Sequence, residues 1–70
     1  MPNWDLIEGT WRQWKGQALE WWGQLTDADW VEIDGNREKL VGLLQVKYGW
    51  TREEAEKDIE TRFAEFGAQT

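Results

Sequence analysis

Seventy residues carrying fourteen acids and eight bases, with no histidine and no cysteine, make one small acidic domain. Neither a disulfide nor a cysteine–histidine zinc site can hold it together. A chain this short buries only about 60% of its unfolded surface, so its seven tryptophans, each able to bury on the order of 150–250 Å², are expected to supply much of the core.

The formal net charge of −6 is uneven: residues 1–35 hold seven acids and two bases (−5), residues 36–70 seven acids and six bases (−1). That balance disfavours phosphate backbones and anionic lipid, which need clustered Lys and Arg. The opening MPNWDLIEG has no basic stretch followed by an apolar run, as a signal peptide requires. No apolar run approaches the length of a membrane span. The cytoplasm is the expected location.

In chain order, Trp4, Ile7, Trp11, Trp14, Ala18 and Trp21 recur at steps of three and four, one continuous helical face. The spacing predicts a helix over about 4–22, with Gly23 in a left-handed position past its end. Thr26 suits an N-cap, with Asp27 and Asp29 in the first turn of a short helix over 27–34, which Gly35 bends or breaks. LVGLLQVKY falls in a third helix, 36–48, whose apolar positions cover more than one stripe; it is expected to be the most buried element, closed by Gly49. Thr51 and Glu54 form a capping box at the head of a fourth helix, 52–66. That helix buries Ala55, Ile59, Phe63 and Phe66, carries the i,i+4 pairs Glu53–Lys57 and Asp58–Arg62, and ends at Gly67. No segment alternates as a strand. The fold class is all-α.

Gly9, Gly16 and Gly23 lie seven apart, and Gly35, Gly42 and Gly49 repeat that spacing 26 residues later. Laying 4–29 over 30–55 also sets Trp4 on Trp30, Ile7 on Ile33 and Trp22 on Tyr48. The single domain, 1–70, therefore reads as two pseudo-repeats, too few for a solenoid and packed about a pseudo-twofold axis, with a C-terminal helix. Gly9 and Gly35 are expected to let a backbone approach or an axis bend. Gly16 and Gly42, in mid-helix where glycine costs roughly 0.5–1 kcal/mol, are expected at close helix contacts.

Without His, Cys or Ser, the usual nucleophile–base pairs cannot be assembled. The paired carboxylates Asp27 and Asp29, or Glu53, Glu54 and Glu56, are accounted for by capping and the helix dipole. EWWGQLTDADW has no phosphate-loop lysine, and DADWVEIDG loses calcium-loop spacing after Asp29. No catalytic, metal or cofactor-binding residue is therefore assigned. Tryptophan is the remaining anomaly. Trp11, Trp14 and Trp22 fit core positions, whereas Trp4, Trp21, Trp30 and Trp50 are not all expected inside so small a domain. They form the candidate interaction surface, for a homodimer or another protein. A membrane surface or a nucleic acid stacked on tryptophans is the alternative.

GTWRQWKGQALEWWGQLTDAD followed by GNREKLVGLLQVKYG resembles the CsbD-like family of small bacterial stress-response proteins. The matching positions are Gly9, Trp11, Gln13, Lys15, Gly16, Trp22, Gly23, Leu25, Thr26 and Asp27, then Gly35, Leu40, Gly42, Gln45, Tyr48 and Gly49, within residues 7–50. The resemblance implies an open array of about four helices in a cytoplasmic protein that accumulates under general stress, and it brings no catalytic residues, because the family has no established biochemical activity. This chain departs from the family's lysine-rich first helix, with Leu19, Trp21 and only Arg12 and Lys15 as bases. The extra tryptophans favour self-association.

Overall fold

The computed structural model describes residues 4–67, with side chains as far as 65. The tryptophan face winds through its first third, but not as one helix. Helix α1 (Trp4–Gly9) gives way to a 3-10 turn (Trp11–Trp14) and then α2 (Lys15–Trp21). The single helix expected over 4–22 is thus interrupted at Thr10, which lies at φ −114°, ψ 24°. Its hydroxyl donates to the Leu6 carbonyl at 2.9 Å, and its N–H is shared between the Leu6 and Ile7 carbonyls, both at 3.2 Å. Threonine back-bonding of this kind bends helices, and Gly9 beside it adds little resistance. The axis bend allowed for at Gly9 falls here.

The remaining helices follow their local signals closely. In α3 (Asp27–Ile33), the Thr26 hydroxyl accepts from the Asp29 N–H at 3.1 Å and the Asp29 carboxylate accepts from the Thr26 N–H at 3.0 Å, a reciprocal cap. The Asp34–Gly35 turn, with φ +48° and +83°, then leads into α4 (Arg37–Tyr48), capped by Asn36. Gly49 ends α4 at φ +71°, as expected. Thr51 and Glu54 close the second reciprocal cap, at 3.1 and 2.8 Å, ahead of α5 (Arg52–Gly67). There are no strands among the described residues, and the fold is all-α.

Several expectations are corrected. Gly23 is not left-handed. Instead Trp22, fully buried, leaves α2 at φ −120°, ψ 77°, and Leu25 closes the turn onto its carbonyl at 2.9 Å. Gly16 and Gly42 make no close contact: a Cβ on either would meet nothing within 4 Å. At roughly 100° per residue, the face of α4 that buries Leu40, Val41 and Leu44 leaves Gly42 toward solvent. The close approach is at Gly35, where a Cβ would lie 2.6 Å from Glu8 Cγ and 3.4 Å from Glu8 Cα. Helix α4 is not the best-buried element, since it buries three side chains, no more than α5 with Ala55, Ile59 and Phe63, and leaves Val46 80% exposed. Asp58 and Arg62 pair at 3.2 Å. Glu53 and Lys57 form no ion pair among the described residues, where Arg52 bridges Glu38 and Glu56 instead. Phe66 lies outside the described side chains.

Indoles run through an otherwise mainly aliphatic core: Trp11, Trp22 and Trp30 are buried in it, and Trp4, Trp14, Trp21 and Trp50 pack against it. Trp11 and Trp30 stack in parallel, 3.6 Å between centroids and 7° between planes. Each indole N–H donates to the other residue's carbonyl, at 2.8 and 2.9 Å. Around the buried Phe63 stand Trp4, Trp14 and Trp21, edge-on at 5.7, 4.9 and 5.2 Å. This is the geometry that aromatic quadrupoles favour. Trp22 donates to the Asp58 carboxylate at 2.7 Å, tying α2 to α5.

Candidate interaction surface

A buried tryptophan is costly unless its N–H finds an acceptor, so indole partners show which tryptophans the fold itself uses. Trp30, assigned to the candidate surface, is 1% exposed and engaged on both ring face and N–H. Its place there is corrected: it is a core residue. Trp4 is half-buried on the core, with its N–H on the Gly35 carbonyl at 2.9 Å. Trp21 is half-buried against Trp14, Trp22 and Phe63. Trp50 stacks on Tyr48 at 4.7 Å, and the Tyr48 hydroxyl accepts from the Gln24 N–H at 3.2 Å. The four residues do not form one exposed patch. Indoles stacked on one another share buried area, and that is how so many fit into so small a domain.

Among the described residues the strongly exposed large apolar side chains lie elsewhere: Leu6 on α1 and Val31 on α3, both 65% exposed, and Val46 on α4 at 80%. Val46 belongs to an open groove of about 380 Å³ between α3 and α4, lined by Asp29, Glu32, Ile33, Lys39, Gly42, Leu43 and Val46. The groove has a signal in the sequence that the helical face of α4 expected to be buried does not include. Lys39, Gly42, Leu43 and Val46 fall at i, i+3, i+4 and i+7, a second stripe on α4.

Most of the bases in the C-terminal half are paired. Lys47 reaches Asp29 at 3.3 Å. Arg37 meets Glu56 and Glu60 at 3.5 and 3.8 Å. Of the six bases in 36–70, Arg37, Lys47, Arg52 and Arg62 are thus held by carboxylates, which removes most of the cationic surface a phosphate would need. The Thr26 N–H, helped by Lys47, holds the Asp29 carboxyl below its usual range. The Arg52 guanidinium does the same for Glu38, and Glu38 in turn raises Arg52. No group of three or more Asp, Glu, His or Cys side chains converges as a metal site among the described residues, nor is any helix there long and apolar enough to cross a membrane.

These shifts predict an acid-sensitive fold. A carboxyl whose folded pKa is depressed stabilises the fold fully above its unfolded pKa, near 4. That contribution fades as pH falls through the folded value. The melting temperature should therefore decline from about pH 4 downward. Asp29→Asn should lower it at neutral pH and flatten part of the acid decline. Thermal melts of both proteins between pH 7 and pH 2 measure this, and parallel curves would rule out Asp29 as a contributor.

The family model for CsbD-like proteins matches residues 5–57. The chain belongs to the CsbD-like family. Among its relatives, a UPF0337 protein of Protochlamydia amoebophila is 52% identical over 56 residues, 80% of this chain and 85% of the relative. One of Pectobacterium atrosepticum is 48% identical over 58 residues, 83% of this chain and 84% of the relative. UPF0337 protein YjbJ of Escherichia coli K12 is 46% identical over 63 residues, 86% and 91% of the two chains. No solved structure matches. The CsbD-like match takes in the Trp11–Trp30 pair, both threonine caps and the whole α3–α4 groove, and stops short of Ile59 and Phe63.

Proposed function

We propose that this CsbD-like chain is a non-enzymatic protein of the bacterial general stress response. It acts in the cytoplasm by associating with protein surfaces, its own included. The observation that carries this reading is where the unpartnered features lie. Apolar side chains stand exposed at Leu6, Val31 and Val46, while the carboxylates with shifted pKa are occupied in a helix cap and an ion pair. Val46 gathers with Ile33 and Leu43 at the α3–α4 groove, and it is apolar side chains grouped in this way that favour protein contacts. A net charge of −6 with most C-terminal bases already paired works against binding at a membrane surface or to nucleic acid.

The test is a pair of titrations at low salt, one with phosphatidylglycerol vesicles and one with duplex DNA, beside light scattering over a concentration series. Indifference to both anionic probes and a mass that rises with concentration are expected. Binding to either probe that weakens as salt is added would overturn the reading in favour of a lipid- or nucleic-acid-associated role.

A further inference from the structure

We infer that the α3–α4 groove is the docking site for a second copy of this chain, in a twofold pair that sets Lys39 of each copy against Glu32 of the other. The inference rests on the association reading above and gives it a location and an occupant.

Three observations converge on the groove. Val46 on its rim is the most exposed of the described large apolar side chains. Gly42 weakens the middle of α4, yet a Cβ there would meet nothing within 4 Å. No contact among the described residues requires glycine at that position. What its missing side chain does is leave the groove open for a neighbouring backbone. The third observation is charge. Glu32 in the last turn of α3 and Lys39 in the first turn of α4 both line the groove, beside the turn that joins the two helices. Neither forms an ion pair among the described residues, whereas Asp29 and Lys47 at the other end neutralise one another.

One acid and one base, on facing walls at the same end of a groove, are complementary to their own twofold image. An axis running along the groove lays α4 of each copy over α3 of the other and forms the Lys39–Glu32 contact twice, as an isologous interface requires. An axis across the groove would instead stack α4 on α4 and set Lys39 over Lys47, like charge on like. An anionic polymer would have to approach Asp29 and Glu32. The complementarity therefore selects a second copy, with Leu43 and Val46 as its apolar centre.

The experiment is sedimentation equilibrium over a wide concentration range on the wild type and six variants, each checked for unchanged helicity by circular dichroism. The wild type should approach twice the mass of one chain. Val46→Glu and Gly42→Trp, both at positions open in the monomer, should stay at the mass of one chain. Leu6→Glu on α1 should behave as wild type. Glu32→Lys and Lys39→Glu should each move dimerisation to higher concentration, and the double swap should restore it. A wild type that remains a single chain at the highest soluble concentration overturns the second copy. Dimerisation that survives Val46→Glu and Gly42→Trp overturns the groove while leaving self-association intact. Strengthening by Lys39→Glu alone overturns the twofold arrangement.

Discussion

Trp30→Ala is expected to remove most of the fold's stability at 25 °C. The indole is 1% exposed and stacked on Trp11 at 3.6 Å, so truncation opens a cavity in the middle of the core. Core Trp-to-Ala changes cost about 3–5 kcal/mol. The lost N–H also leaves the Trp11 carbonyl, an acceptor at 2.9 Å, without its donor, a further cost of about 1–3 kcal/mol where no water can enter. A chain of this length has roughly 3.5–10 kcal/mol of stability in all, at about 0.05–0.15 kcal/mol per residue. Urea denaturation followed by far-ultraviolet circular dichroism measures the loss. A shift below about 1.5 kcal/mol would show that the stacked pair is not the centre of the core. Trp30→Phe keeps a ring against Trp11 and removes the donor, and should fall between alanine and wild type.

Two glycines should respond to alanine with opposite signs. Gly35→Ala should destabilise by about 1–3 kcal/mol, because φ +83° is strained for any side chain and the new Cβ would press on Glu8. Gly42→Ala should stabilise by about 0.5–1 kcal/mol, since it adds helix propensity in open space. Urea midpoints at dilute protein test both signs. The double variant Glu8→Ala, Gly35→Ala separates the two causes of the first effect. Removing Glu8 Cγ relieves the 2.6 Å contact and leaves the backbone strain, so the cycle should show a favourable coupling. If Gly42→Ala destabilises as Gly35→Ala does, the open surface assigned to Gly42 is wrong.

The glycines also mark how far sequence reading reaches. Six of them repeat on one period, which suggests equivalent roles, yet their structural roles differ. Gly49 closes a helix in the left-handed region, Gly35 admits Glu8, Gly9 precedes a helix break, and Gly16 and Gly42 face open space. A glycine's conformation is set by the next few residues where it caps a helix, and by distant partners where it lies against another segment. Only the first kind can be read along the chain, and Gly23, where the buried Trp22 rather than the glycine turns the backbone out of α2, shows that distant packing overrides even that.

The same division holds for the whole protein. Local signals along the chain specify the all-α class, the threonine caps at Thr26 and Thr51, the Gly49 stop and the Asp58–Arg62 pair. Each rests on groups three or four residues apart, or on the period of one helix face, so no distant residue is needed to form it. Tertiary packing puts Trp30 at the centre, sets Trp4 and Trp21 around Phe63, and brings α3 and α4 together about a groove. The bonds responsible join residues far apart in the chain: 19 between Trp11 and Trp30, 31 between Trp4 and Gly35, 36 between Trp22 and Asp58. Apolar periodicity says which face of a helix is buried. Which indole reaches which carbonyl depends on how the helices cross, and that is settled only when all of them pack together.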